Sequence, residues 1–204
     1  MNGLLKNIAI VQSGHPFPSR IKSDETGNVA ILQMKDLPNE MRLISAEPAR
    51  MHADAIKEHY ILKVDDIIFR SRGQTNTAII VKADLGLAVV AAPLFSLRVT
   101  SVKILPDYLC WWLNQPTAQN HFERHAKGTS ARMISREALA ALEVPQLPIE
   151  KQMQIVELAL LGEREQELLS RLASAEKNKW NGILMKTAMA EHETITSPPK
   201  YIRK

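Results

Sequence analysis

The stretch "VDDIIFRSRGQTNT", residues 64 to 77, runs from an apolar segment into a set of polar and basic side chains. Consecutive apolar residues ending at Phe69 are typical of a strand that is buried on both faces. Gly73 lies among the polar residues that follow, and glycine permits a tight turn or a close approach of the backbone to a ligand. The stretch therefore predicts a core strand that ends in a polar surface loop.

Similar short apolar runs fill the first two thirds of the chain, bounded by Gly, Pro, Asn and Asp. They are "VAILQM", "YILK", "DIIFRS", "AIIVKA" and "LAVVAAPLFSLRVT". Their length and their content of Val, Ile, Leu and Phe favour strands. Asp84 and Gly86, in "KADLGLA", suit a hairpin turn between the last two runs. We expect an α+β fold with a β-rich core.

Three short helices are expected in the segment that follows these apolar runs. "LPDYLCWWLN" and "QPTAQNHFERHAKG" each contain a proline, Pro106 and Pro116, at a position that suits the first helical turn. The second pattern stops at Gly128, a common residue after a helix end. Ser135 is a natural N-cap for a third helix through "REALAAL", which precedes the extended segment "EVPQLP".

From Pro148 onward the sequence is dense in Glu, Gln, Leu, Ala and Lys. Apolar residues recur at spacings of three, four and seven, which predicts one long helix with an apolar seam. The seam consists of Leu158, Leu161, Leu168, Leu172 and Ala175. We place a folded domain over 1–147, the helix over 148–190 and a flexible tail over 191–204. A helix that breaks at Gly162 or Gly182 and packs back on its own domain is the alternative.

Composition limits the class of protein. The 204 residues suit one domain with an appendage, and the formal net charge of +4 with a pI near 9.2 weakly favours an anionic partner. The single cysteine, Cys110, excludes a disulfide within one chain and predicts a buried thiol. No run reaches the roughly 18 apolar residues of a membrane helix. We expect a cytoplasmic protein.

Catalytic and metal-binding patterns do not emerge from the sequence. His121 and His125 have the spacing of a zinc pair, but Phe122 stands where the protease motif has glutamate, and no third ligand is evident. Asp65 and Asp66 would point to opposite faces of a strand. Neither GxxxxGK[ST] nor GxSxG occurs, and "TSPPKY" departs from the Asn/Asp-Pro-Pro-Tyr loop of amino methyltransferases. We expect a binding protein without catalytic activity, metal or cofactor.

Three loops carry side chains that suit nucleic acid. Arginine bonds guanine, Gln and Asn bond adenine, and Ser, Thr and Lys hold phosphate oxygens. The candidates are Arg70, Ser71, Arg72, Gln74, Thr75 and Asn76 in the first loop, Lys127, Thr129, Ser130 and Arg132 in "HAKGTSARMIS", and Arg20 and Lys22 in "GHPFPSRIKS". Any one of these loops could equally be a solvated polar turn, whereas three on one scaffold predict a DNA-binding surface.

Taken in order, the motifs resemble the DNA specificity (target-recognition) subunit of type I restriction-modification systems. The resemblance runs to about residue 190 and includes "ILQMKDL", "VDDIIFRSRG", "APLFSLRV", "PDYLCWWLNQP", "KGTSARMISREALAALEVPQLP" and "EKQMQIVELALL". The strongest local match is carried by Gly128, Thr129, Ser130, Ile134, Ser135, Leu139, Leu142, Val144, Pro145, Pro148, Gln152 and Ile155.

The resemblance implies that residues 1–147 form a target recognition domain reading a DNA half-site and that 148–190 form a spacer helix. It also implies a separate methyltransferase subunit that supplies the chemistry, and it admits a translocating endonuclease subunit. Full specificity subunits carry two recognition domains and two spacer helices, whereas this chain has room for one of each. We hypothesise a homodimer on a split palindromic site, with the seam lying antiparallel against its twin.

Two other interpretations stay open at this point. A stand-alone recognition module of another defence or modification complex would bind DNA without a methyltransferase subunit. A scaffold protein whose long helix docks a partner would have negligible DNA affinity even at low salt. A DNA-binding protein would instead lose affinity steeply as salt rises.

Overall fold

A computed structural model of the chain describes residues 2–17, 21, 23–37, 42–43, 48–52, 56–73, 76–128 and 132–196. The strands are β1 (Asn2–Leu4), β2 (Ala9–Ser13), β3 (Val29–Leu32), β4 (Arg42–Leu43), β5 (Ala49–Met51), β6 (Ile67–Arg70), β7 (Ala78–Val81), β8 (Ala88–Val90), β9 (Leu94–Val99) and β10 (Glu143–Pro145). The α-helices are α1 (Pro106–Leu113), α2 (Pro116–His125), α3 (Arg136–Ala140) and α4 (Ile149–Thr196). The predicted α+β class, β-rich with a long C-terminal helix, is confirmed.

Within these ranges the strands form three sheets. The largest has the order β2-β9-β6-β7-β4, a second has the order β5-β3-β8, and β1 pairs with β10. Strand β6 is central in the largest sheet and runs antiparallel to both neighbours, with Ile67 opposite Ile80 of β7 and Leu97 of β9. This central position explains why "DIIF" has no polar alternation.

The two faces of β6 contribute to different cores. Ile67 and Phe69 pack in the cluster that includes Leu109 of α1 and Phe122 of α2. Ile68, which points the opposite way, packs in a second cluster with residues of β3 and β8. The five-stranded sheet therefore has helices on one face and the three-stranded sheet against part of the other.

The hairpin predicted around Asp84 and Gly86 is wrong. A turn does form, because Gly86 has a φ of 66° and its N–H donates to Asp84 Oδ1 at 2.9 Å. However, β7 before the turn belongs to the five-stranded sheet and β8 after it to the three-stranded sheet. The run "LAVVAAPLFSLRVT" also divides into β8 and β9 at Pro93, which has no N–H to give to a neighbouring strand.

The predicted short helices are confirmed. Helices α1 and α2 begin at Pro106 and Pro116, and the Ser135 side chain accepts a hydrogen bond from the backbone N–H of Ala138 at 3.1 Å. Cys110 is buried in α1. Among the described residues, no helix combines the length and the apolar character needed to cross a membrane.

Helix α4 continues through Gly162 and Gly182 without a break and extends into the segment 191–204. The chain divides into two compact units between Glu157 and Leu158, inside this helix rather than at its start. The first turns of α4 therefore belong to the same unit as the sheets.

Gln152 anchors these first turns from a position with no solvent exposure. Its Oε1 accepts the N–H of Leu105, the N-cap residue of α1, at 2.9 Å. Its Nε2 donates to the carbonyl oxygens of Lys103 and Leu147, both at 2.7 Å. A buried amide is tolerated because both its oxygen and its nitrogen are bonded.

An ion pair in the largest sheet involves Asp66, which is 2% exposed. Arg98 on β9 donates to its carboxylate through Nε at 2.7 Å and Nη2 at 2.5 Å, and the N–H of Lys63 donates to it at 2.8 Å. The hydrogen bond to Asp66 is the main cause that raises the pKa of Arg98. The pair fixes the segment that leads into β6.

We predict that Arg98→Met lowers the free energy of unfolding by about 3 kcal/mol, because it leaves a buried carboxylate without its counter-charge. The double variant Asp66→Asn, Arg98→Met should recover part of that loss, since the charge itself is then removed. Urea denaturation followed by circular dichroism measures both effects. A loss below about 1 kcal/mol in Arg98→Met would contradict this role.

Candidate nucleic-acid interface

The first predicted loop connects β6 and β7. The backbone N–H of Arg70 donates to Thr77 O at 2.9 Å, which closes the base of the loop. Asn76 Nδ2 donates to Arg70 O at 2.9 Å, and Gln119 Nε2 on α2 donates to Asn76 O at 3.0 Å. The C-terminal end of this loop is therefore held to both β6 and α2.

Two of its predicted DNA-binding residues form hydrogen bonds within the domain. Ser71 is 1% exposed, its hydroxyl donates to Pro93 O, and its carbonyl oxygen accepts the N–H of Ile134 at 2.8 Å. Arg70 is half-buried and its Nη2 donates to Leu37 O at 2.9 Å. Because Ser71 is buried within the domain, we exclude it from the candidate surface.

Arg72 is exposed and begins the part of the loop that faces solvent. It pairs with Met133 in an antiparallel bridge, and the next residue, Gly73, has a φ of 128°. Residues that have a Cβ rarely adopt such a backbone angle, so glycine suits the turn after Arg72. Gln74 and Thr75 lie outside the described residues.

The second predicted loop is closed by the same Met133. The N–H of Lys127 donates to Met133 O and the N–H of Met133 donates to Lys127 O, both at 3.0 Å. Lys127 and Arg132 are exposed, whereas Thr129 and Ser130 lie outside the described residues. The segment around Met133 thus lies between the two loops and bonds to both.

The structure therefore brings together Arg72, Lys127 and Arg132 on adjacent backbone segments. We call these three residues the basic surface. Nothing in the sequence pattern alone placed the two loops side by side, since they are separated by three strands and two helices. The third predicted loop contributes Arg20 and Lys22, and both fall outside the described residues.

Helix α3 begins beside the basic surface and carries a carboxylate within the field of Lys127. The pKa of the exposed Glu137 is lowered first by the hydrogen bond from its own backbone N–H and next by one with Ser135. The positive charges of Arg136 and Lys127 lower it further. Glu137 is therefore ionised at neutral pH, and its charge partly offsets that of Lys127.

The histidine pair on α2 is used for packing in the described structure. The rings of His121 and His125 stack with centroids 4.2 Å apart, and each contacts a backbone carbonyl oxygen, of Ala138 at 2.9 Å and of His121 at 2.7 Å. No group of three or more His, Cys, Asp or Glu side chains suited to a metal ion occurs in the described part of the chain.

Solved structures with a similar arrangement include the HsdS subunit from Thermoanaerobacter tengcongensis, with a TM-score of 0.58 and 17% identity over 83% of this chain and 38% of that one. The chain has the fold of these S subunits. The S subunit of a type I restriction-modification system from M. genitalium matches with a TM-score of 0.54 and 14% identity, over 83% of this chain and 41% of that one.

A chain from a structure on complex assembly and conformational transition of the type I R-M system matches with a TM-score of 0.60 and 17% identity. The match covers 95% of this chain and 42% of that one. This chain thus spans about two fifths of the length of the chains it matches. No protein-family model and no curated protein matches the sequence.

Sequence reasoning missed the residues that position the loops in this S-subunit fold. Asn114 Oδ1 accepts the N–H of Ala78 at 2.9 Å, while its Nδ2 donates to Ala78 O at 2.8 Å and to Cys110 O at 2.9 Å. The amide thus takes the place of a strand neighbour at the first residue of β7. A single Asn between a helix and the sequence "QP" was the only available signal, and it does not reveal a partner in a distant strand.

We predict that Asn114→Asp lowers the free energy of unfolding by about 2 kcal/mol, since a carboxylate cannot donate to the two carbonyl oxygens that Asn114 Nδ2 contacts. Asn120→Asp, on the exposed side of α2, is the matched control and should change stability little. Chemical denaturation of both variants measures the difference. Equal stability of the two variants would show that Asn114 does not hold β7.

Proposed function

We propose that the chain is the DNA-recognition component of a type I restriction-modification system and reads a DNA half-site. The observation that supports this most is the joining of two predicted DNA loops through Met133, on a fold shared with S subunits. Three exposed cations on adjacent segments provide both phosphate contacts and, through arginine, guanine contacts. A scaffold protein would have no need for this arrangement.

Within this proposal, Arg72 is the first candidate for a base contact. Lys127 and Arg132 hold the phosphate backbone, and Asn76 lies at the base of the first loop. Gln74, Thr75, Thr129, Ser130, Arg20 and Lys22 remain predicted contacts. Arg70 positions the start of the first loop through the hydrogen bond that it donates to Leu37 O.

We propose a recognition domain over 1–147, a spacer helix over 148–190 and a tail over 191–204, in which α4 continues as far as Thr196. We propose that the chain itself has no catalytic activity and no cofactor, and that a methyltransferase subunit modifies the DNA in the cytoplasm. A translocating endonuclease subunit would join the same complex. Two copies of the chain would present identical recognition domains to a split palindromic site.

We predict that Arg72→Ala weakens binding to the preferred site by 1–3 kcal/mol, or about tenfold to a hundredfold, and relaxes the preference at one base pair. Selection from a randomised duplex library, in the presence of the methyltransferase subunit, measures the preference. Lys177→Ala on α4 is the control. An Arg72→Ala variant that binds all sequences as the wild type does would contradict a DNA contact, and an even loss over all sequences would assign Arg72 to phosphate.

Light scattering of the purified chain, alone and mixed with a candidate type I methyltransferase subunit, tests the assembly. We expect a dimer that joins the methyltransferase subunit. A chain that binds DNA but ignores methyltransferase subunits would instead be a stand-alone recognition module. A chain that binds neither, even at low salt, would be a scaffold, and the proposed function would be wrong.

A further inference from the structure

Met133 is an exposed apolar residue in the middle of the basic surface. Its side chain is 39% exposed, and its backbone bridges Arg72 on one side and Lys127 on the other. Isolated apolar side chains are common on protein surfaces and need no explanation by themselves. An apolar side chain held between two cations, on a surface proposed to contact DNA, is a more specific arrangement.

The backbone pairing directs all three side chains to the same side. Residues directly opposite each other in an antiparallel pair have their side chains on one face. Met133 is opposite both Arg72 and Lys127, so the three side chains form a row across three backbone segments. Ser71 and Ile134, the chain neighbours, are 1% and 0% exposed and point into the domain, so the row itself points outward to solvent.

The hydrogen bonds determine the spacing of this row. Lys127 and Met133 exchange two backbone hydrogen bonds, whereas the bond from the Ile134 N–H to Ser71 O identifies Arg72 and Met133 as a narrow pair. Cα atoms are about 5.5 Å apart in the first kind of antiparallel pair and about 4.5 Å apart in the second. Successive base pairs of DNA are about 3.4 Å apart, so Arg72 and Met133 reach neighbouring base pairs rather than the same one.

The chemistry of the Met133 side chain selects among the bases. In the major groove, the C5-methyl group of thymine is the apolar group that base pairs present. The other bases present hydrogen-bonding groups there, and a thioether is a weak acceptor without a proton to donate. Methionine set against those groups would leave them without a partner, which costs binding free energy. Thymine is therefore the base that suits Met133.

We propose that Met133 contacts the C5-methyl group of a thymine in the major groove, at the base pair next to the one that Arg72 reads. Lys127, on the other side of Met133, binds a phosphate oxygen of the same half-site. This inference rests on the proposed function, and it adds a specificity-determining residue together with the base that the residue selects.

Exchanging thymine for uracil tests the contact, because it removes the methyl group and keeps the hydrogen-bonding groups of the base. Each thymine of the preferred site is replaced singly, and fluorescence anisotropy measures the dissociation constant of the full-length chain with the candidate methyltransferase subunit present. We expect one uracil, beside the base pair whose preference Arg72→Ala relaxes, to weaken wild-type binding about fourfold, as expected for the loss of one buried methyl group. At that position, 5-methylcytosine should bind more tightly than cytosine.

Variants of Met133 connect this preference to the side chain. Met133→Ala should bind the thymine and uracil duplexes equally, since the shorter side chain no longer reaches the methyl group. Met133→Leu keeps an apolar side chain of similar size and should still prefer thymine. Leu87→Ala is the matched control, because Leu87 is also 39% exposed but follows β7, whereas the first loop precedes it. This control should keep the full preference, and circular dichroism verifies that every variant folds.

The outcomes separate this inference from the function on which it rests. A wild-type chain that prefers no DNA sequence would overturn both. A wild-type chain that selects a site but tolerates uracil at every thymine would overturn the methyl contact and leave the proposed function in place. A Met133→Ala variant that prefers thymine by the wild-type factor would also overturn the contact, whether or not its overall affinity falls.

Discussion

The arrangement of the domain depends on an ion pair whose carboxylate is buried. Asp66 lies where the chain enters β6, and its carboxylate is held by Arg98 from β9 and by the N–H of Lys63. Burying a carboxylate is costly, and hydrogen bonds to both of its oxygens compensate for that cost. The pair therefore ties the segment that enters β6 to strand β9. Because β6 continues directly into the first predicted loop, this ion pair also contributes to where Arg72 emerges.

Loop position is then refined by amide side chains acting on the backbone. Asn114 holds the first residue of β7, and Gln119 holds the carbonyl of Asn76, so α1 and α2 fix the returning arm of the loop. Gln152 does the same for the start of α4. In each case a neutral side chain bonds peptide groups that lack a strand or helix neighbour. These amide side chains thus hold the backbone beneath the exposed cations without adding charge to it.

Local signals in the sequence predicted much of this fold. The apolar runs of β6 and β7, the prolines that open α1 and α2, and the Ser135 cap each depend on neighbouring residues alone. The partner of a strand does not, which is why the turn at Gly86 was mistaken for a hairpin although it connects two sheets. Ser71 was misjudged for the same reason, since its burial arises from Pro93 and Ile134. The adjacency of Arg72 and Lys127 requires Met133, which no local pattern identifies.

The three segments that carry the basic surface are joined by peptide groups rather than by side chains. Lys127 and Met133 exchange two backbone hydrogen bonds, and Ser71 O accepts the N–H of Ile134. Peptide bonds are present whatever amino acid occupies a position, so mutations at Arg72, Lys127 or Arg132 change the chemistry offered to a ligand without dismantling its support. Single substitutions at these three positions can therefore change which ligand groups are contacted, while the backbone that carries the side chains keeps its conformation.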